Sequence, residues 1–320
     1  MHLRVLTATL IIGVATATPT TAQAPFQDVS LPLIYTKTGP TNQILETDLD
    51  PLAESVVLTS SLVSESALPS ANPANGRILF SGPDAVTSRP VIYQTGALTS
   101  QVTTDEGGFL SEQSPIWGHD GTYFLFVREI SKSKSVIVKR SGPAFGAELI
   151  IPVTDTVTHK RILHPRISPS GKTLAYVSEE PDGDYRLYRV SPNVFGTTRT
   201  LIVDTNTTEL AFPTFGPNTS VLMYVRRNSA SSNAIHRINL NGTGDTQIKS
   251  TTNALITGLQ WSRDDSLVAY SLDSTNITLS QVRVMAPTGD DDVGIVAGVL
   301  HTYAGVSWGQ GYPRIFVRVE

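Results

Sequence analysis

Apolar residues in this chain come in short dense runs, not in helical stripes. FLFV (124–127), TLAYV (173–177), VLMYV (221–225) and LVAYS (267–271) are such runs. Their β-branched and aromatic content predicts a buried strand for each. After a polar stretch comes a segment that alternates outward and inward, as in YRLYRVS (185–191) and AIHRINL (234–240), which predicts a second kind of strand. Before each dense run stands a tight-turn sequence: Asn75-Gly76, Asp120-Gly121, Ser170-Gly171 and, less favourably, Asp264-Asp265. Such residues tolerate the left-handed backbone of a short hairpin. Before the turn an extended stretch ends in a large apolar residue, Trp117, Ile167, Phe215, Trp261 or Trp308. A closing strand such as TLIVDT (200–205) or GIVAGV (294–299) completes the unit.

The unit recurs along the chain. Pro69, Pro115, Pro165, Pro213, Leu259 and Val306 occupy one position of it, 46 to 50 residues apart, and eleven residues after each lies Phe80, Phe126, Tyr176, Tyr224, Tyr270 or Val317. Four antiparallel strands in a unit of about 45 residues is the pattern of a β-propeller blade. A β-sandwich also has short strands and many turns, but it does not repeat a four-strand register. LPLIYTK (31–37) reads as an extra second strand and QILETDL (43–49) as a third. If AGVSW (304–308) joins them in one composite blade, the ring closes at six blades, with an incomplete seventh as the alternative. The expected fold is all-β, a six-bladed propeller of four-stranded antiparallel blades over residues 25–320.

Composition agrees and removes several chemistries. Charged residues are 16% of the 320, below the roughly 25% of an average soluble domain, and a coiled coil or helical bundle is excluded by the absence of long periodic runs. There is no cysteine, so disulfides, thiolate metal sites and a cysteine nucleophile are ruled out. A formal net charge of −4 with no basic stripe argues against nucleic-acid binding. Residues 1–24 carry Arg4, an apolar stretch from Val5 to Ala17, and small residues at Ala22 and Ala24. They read as a secretory signal cleaved after Ala24, because the stretch is shorter than the roughly twenty residues that span a bilayer. A periplasmic or secreted monomer is expected.

SPSGKTLAYVSEEPDGDYRLYRV (168–190) resembles the propeller repeat of the TolB-like family, and GHDGTYFLFV (118–127) and SRDDSLVAYS (262–271) resemble degenerate copies of it. The resemblance covers essentially residues 25–320 and implies a six-bladed propeller that binds proteins of the cell envelope. It departs from TolB in that the first blade begins close to the signal, where TolB has an α/β domain. Similar propellers accompany prolyl-oligopeptidase-type peptidases and form the body of oligogalacturonate lyases, so the fold leaves the activity open.

The chemistry-bearing residues are few. GVSWG (305–309) matches the G-x-S-x-G elbow of serine hydrolases, but no His follows it and Ser307 holds the repeat position of Thr214 and Gln260; a blade strand is expected there. His119, His159, His164, His236 and His301 occupy different repeat positions and do not converge as a metal set would. His164 precedes an innermost strand, at the position of Leu68, Ser114, Phe212, Gly258 and Gly305, and is expected to be a solvated funnel residue. Asp290-Asp291-Asp292 has the oxygen donors of a hard-cation site without the spacing of a calcium loop; a solvated connection is expected. No cofactor is expected.

Loops at one end of a propeller converge on its axis. That places Lys160, Arg161, His164, Glu209, His301 and Tyr303 before the innermost strands, with Arg226 and Arg227 in facing loop tips, as a candidate face for a protein or peptide partner. The reading that follows is an exported non-enzymatic binding scaffold. Its alternative is a carbohydrate lyase using His164 with a divalent metal.

Overall fold

The computed structural model describes residues 33–38, 42–47, 55–59, 68–95, 99–104, 108–141, 146–151, 161–192, 199–205, 208–229, 231–274, 280–298 and 302–308. Its strands group in chain order. The first three are β1 (Leu33–Thr38), β2 (Gln43–Thr47) and β3 (Ser55–Thr59). Blade 2 holds β4 (Ser70–Ala71), β5 (Ile78–Pro83), β6 (Pro90–Gln94) and β7 (Ser100–Gln101). Blade 3 holds β8 (Ser111–Trp117), β9 (Tyr123–Ser131), β10 (Lys134–Ser141) and β11 (Ala147–Ile151). Blade 4 holds β12 (Arg161–Ile167), β13 (Leu174–Glu179), β14 (Tyr185–Val190) and β15 (Thr200–Thr205). Blade 5 holds β16 (Glu209–Phe215), β17 (Val221–Ser229), β18 (Ser232–Asn239) and β19 (Thr246–Thr252). Blade 6 holds β20 (Ala254–Trp261), β21 (Val268–Ser274), β22 (Ser280–Met285) and β23 (Val293–Gly298). The last strand, β24 (Thr302–Trp308), crosses back to pair with β1 in the sheet β24-β1-β2-β3.

The ring thus closes at six blades, through the composite blade that the repeat arithmetic predicts. Every pairing is antiparallel, and the innermost strand is the one that ends in the large apolar residue, except in blade 2, where β4 ends in Ala71. RIFVR (314–318), which continues the sixth repeat copy past β24, lies outside the described residues, as does the proposed signal.

The dense apolar runs are dense because each second strand has a blade on both sides. On β13, Leu174 and Tyr176 pack toward blade 3 while Ala175 and Val177 pack toward blade 5. On β17, Leu222 and Tyr224 face blade 4 while Met223 and Val225 face blade 6. Alternate residues still point to opposite faces, but both faces are apolar interfaces, so the alternation vanishes from the sequence. The core is therefore six interfaces arranged radially, one between each pair of neighbouring blades. Trp308, Trp261, Trp117 and Phe215 each sit in one of them, as the sequence predicts.

The tight turns between first and second strands share one backbone device. Gly121 and Gly171 have φ of +72° and +71°, Thr219 and Asp265 take φ of +59° and +68° at the equivalent place, and in blade 2 Gly76 takes +71° one residue later. Glycine enters that region freely, whereas a residue with a Cβ does so at a cost. The turns also touch. Asn72 Nδ2 of blade 2 donates to Gly121 O of blade 3 at 3.1 Å, and a side chain added at Gly171 of blade 4 would collide with the His119 imidazole of blade 3.

Candidate functional site

The innermost strands line a central channel, and position within the repeat decides what each residue does there. At the middle level every ladder that is long enough shifts register: between Gln113 and Ile116, Leu163 and Arg166, Ala211 and Thr214, Ile256 and Gly258, and opposite Tyr35 and Thr36. Such shifts are β-bulges, which re-aim side chains. Ser114, His164 and Phe212 take φ of +54°, +50° and +48° at these bulges, and Gly305 takes +63°. Together with Leu68 and Gly258 they form one level of the channel wall. The His164 and Phe212 rings stand 4.1 Å apart, and a Cβ at Gly258 would clash with the Gly305 backbone, as one at Gly305 would with Leu68. His164 is therefore half-buried, packed against Phe212 with Nδ1 enclosed. Burial, with the charges of Arg166, Arg227 and Arg161, lowers its pKa to about 3, so the ring is neutral.

Two residues further along each strand, the side chains are Ser70, Ile116, Arg166, Thr214, Gln260 and Ser307. Three of these are hydroxyls that link neighbouring blades: Ser70 Oγ accepts from Trp117 N at 3.1 Å, Thr214 Oγ1 from Trp261 N at 3.0 Å and Ser307 Oγ from Ala71 N at 3.1 Å. Ser307 is thus a stitch in the ring, in agreement with the strand reading of GVSWG. All six line the cavity described next, and Ile116, Arg166 and Gln260 do so with side chains that make no such link to the next blade.

Beyond this level the channel widens into a cavity of about 260 Å³, to which all six blades contribute. All three tryptophans of the chain line it, with Arg166, Gln260 and Arg263 among its polar walls. No residue of the bulge level belongs to the lining, so that level is its floor. Trp308 Nε1 donates to Gln260 O at 3.1 Å and fixes one indole against the next blade. Arg166 is half-buried and donates to Pro165 O at 3.1 Å; burial lowers its pKa to about 10. Arg263 at the mouth is lowered by the same cause.

Apart from His164, the described residues among those nominated from sequence lie toward the other end of the channel, and Arg161, Glu209 and Arg227 are already paired. Arg161 opens β12, opposite Glu179, and reaches Glu129 of blade 3 at 3.6 Å and Glu179 at 3.7 Å. Glu209 opens β16 and pairs with Arg227 directly across the ladder. Arg226 and Arg227 are strand residues of β17, not loop tips, because the β17–β18 hairpin extends through Ser229. Arg227 also lies 5.7 Å from the Phe212 ring centre. Tyr303 belongs to β24, opposite Lys37. Lys160 and His301 lie outside the described residues. Deeper on the same rim, Glu112 is fully enclosed and held by Arg128 at 2.7 Å. Burial raises its carboxyl even against the pull of Thr103, Arg128 and Arg140.

The Asp290–Asp292 run does not act as a unit. Asp292 turns inward to Arg283 Nε at 2.9 Å, Lys249 Nζ at 2.8 Å and the Tyr270 hydroxyl at 2.8 Å, while Asp290 and Asp291 are exposed. Only the outer two fit the expected solvated connection. The same tyrosine position in blade 5 does similar work: Tyr224 donates to Asp245 at 2.9 Å, and His236 Nδ1 lies 3.1 Å from that carboxylate. Among the described residues no three His, Asp or Glu side chains gather as a metal site would require. The lumen residues Arg166, Gln260 and Arg263 were missed from sequence. Their signal was present: Arg166 and Gln260 stand where other repeats carry a hydroxyl.

No protein-family model matches the sequence, and the comparison with curated proteins gives no match. Solved structures do match. TolB from Acinetobacter baumannii superposes with a TM-score of 0.68 at 18% identity, over 89% of this chain and 68% of that one. A chain of a nidogen/laminin complex gives 0.64 at 11%, over 88% and 100%. The oligogalacturonate lyase of Vibrio parahaemolyticus gives 0.52 at 15%, over 84% and 73%. Identities this low report on architecture alone, and in architecture the chain is a TolB-like six-bladed β-propeller.

Proposed function

We propose that this chain is an exported, non-enzymatic scaffold that binds a protein or peptide in the mouth of its channel. The observation that carries the reading is the cavity of about 260 Å³ walled by all six blades, with three indoles and arginine in its lining. Tryptophan and arginine are the residues that concentrate binding energy at protein interfaces. The size suits one or two inserted side chains, with the surrounding turns contacting the rest of a partner. Export rests on the signal-like residues 1–24, and among the described residues no helix is long and apolar enough to cross a membrane. The nidogen/laminin structure is itself a complex, an example of this architecture in protein recognition. Envelope proteins are the partners to be tried first.

The lyase alternative draws on the oligogalacturonate lyase likeness and on the neutral His164 in the channel. Against it stands the local charge: the same three arginines that disfavour a proton on His164 disfavour a divalent cation. A pull-down from an envelope extract with residues 25–320, followed by re-binding of the identified protein in purified form, tests the scaffold. Arg263→Glu at the cavity mouth is expected to abolish that binding. Metal-dependent turnover of an acidic polysaccharide, lost in His164→Ala, would overturn the scaffold in favour of the lyase.

A further inference from the structure

We infer that the channel cavity is a carboxylate site: Arg166 receives the carboxylate of an acidic residue of the bound partner, and Arg263 draws it in at the mouth. The inference rests on the scaffold reading and adds the chemistry of the group recognised.

Arg128, Arg140, Arg161, Arg186, Arg199, Arg227 and Arg283 each pair with a carboxylate, and of the described arginines without such a pair only Arg166 and Arg263 line the cavity. A half-buried guanidinium opposed by no anion is costly, because burial strips its hydration without compensation. Burial is the sole cause of the lowered pKa at each of the two. The one carboxylate in the lining, Asp264, is already engaged. It accepts from Ser262 Oγ at 2.6 Å, Ser266 N at 3.1 Å and Ser266 Oγ at 2.8 Å; burial would raise it, but these bonds hold it below its ordinary range. Two cations against one committed anion leave the cavity positive.

The shape of the wall specifies more. A guanidinium matches a carboxylate in a planar, two-bonded geometry. Around it the indoles of Trp117, Trp261 and Trp308 offer apolar surface, which suits the methylenes of a glutamate and its apolar neighbours better than a bare anion. Arg166 also replaces a hydroxyl that would otherwise tie two blades together, so the strand gives up a structural bond at the point where it presents the charge.

All three tryptophans line the cavity, so the emission of the whole chain reports on this site. The experiment titrates residues 25–320 with an acetylated, amidated octapeptide of alanine and leucine carrying two central glutamates, with its glutamine counterpart, and with sodium acetate. The glutamate peptide is expected to change the emission saturably and to bind at least about ten-fold tighter than the glutamine peptide. Arg166→Gln, which installs the residue that blade 6 carries at this position, is expected to weaken that binding about ten-fold and to leave the melting temperature equal or higher. Equal affinity for the two peptides, unchanged binding by Arg166→Gln, or a lowered melting temperature with binding retained would overturn the inference. Acetate acting at the same concentrations as the glutamate peptide would assign the site to small free acids and overturn the partner-borne group. An envelope protein that binds wild type and Arg166→Gln equally would overturn the carboxylate site and leave the scaffold standing.

Discussion

The two ends of the innermost strands treat charge in opposite ways. At the rim where the strands begin, acid faces base across the ladders: Glu112 with Arg128, Arg161 with Glu179, Glu209 with Arg227. At the cavity end, Arg166 and Arg263 stand in the lining with indoles and hydroxyls, and what holds the blades together is uncharged: hydroxyl to backbone bonds and turns packed on turns. The same strand therefore carries a neutralised end that serves the ring and an unneutralised end open to a ligand. A count of exposed charges would have favoured the first end. The chemistry lies with the charges that are not spent.

The sharpest way to break this comparison is to remove an arginine from the rim. Arg128→Ala leaves the enclosed Glu112 carboxylate without its main partner, and breaking a buried pair from one side costs about 3 kcal/mol. A fall in the urea midpoint at unchanged slope would show it, in contrast to the neutral or stabilising Arg166→Gln. Next in size is Gly171→Ala at the cavity end, which adds a side chain at φ +71° and drives it into His119. About 2 kcal/mol should be lost, and adding His119→Ala should recover the steric share but not the backbone share. A double-mutant cycle by thermal melting separates the two.

A third change works through pH. His164 has a folded pKa of about 3, against an ordinary value of about 6.5 for the unfolded chain. The unfolded state therefore binds a proton that the folded state refuses in that window, and stability falls as pH drops through it. His164→Asn, which does not titrate and tolerates the left-handed backbone, should flatten this acid limb of the urea midpoint relative to wild type. The smallest effect is expected at Thr219, which holds φ +59° where the turns of blades 3 and 4 have glycine. Thr219→Gly should gain about 0.5 kcal/mol, a rise of a degree or so in melting temperature.

Most of the architecture was legible because it repeats. One degenerate copy, such as SRDDSLVAYS, says little alone, but six in register fix the strand order and even the composite closure. The second strands announced themselves by burial on both faces. Arg226 and Arg227 were misplaced because the hairpin of blade 5 runs longer than its sequence cues, so two charges that read as a loop tip are paired strand residues. The site was harder for a different reason. A site residue is an exception to the repeat, and an alignment that seeks sameness passes over it. Ile116, Arg166 and Gln260 were visible as departures from the Ser/Thr position, yet that position has a meaning only once Ser70, Thr214 and Ser307 are seen to bond the next blade.

The same position has a consequence for how such a ring can diversify. All six side chains there line the cavity, and three of them also hold the next blade. Exchanging a hydroxyl for a lumen side chain forgoes a single hydrogen bond, about 1 kcal/mol, and leaves the inter-blade cores untouched. The ligand preference of the channel is thus rewritable one blade and one codon at a time, while a fold of this size absorbs each edit without a compensating change elsewhere.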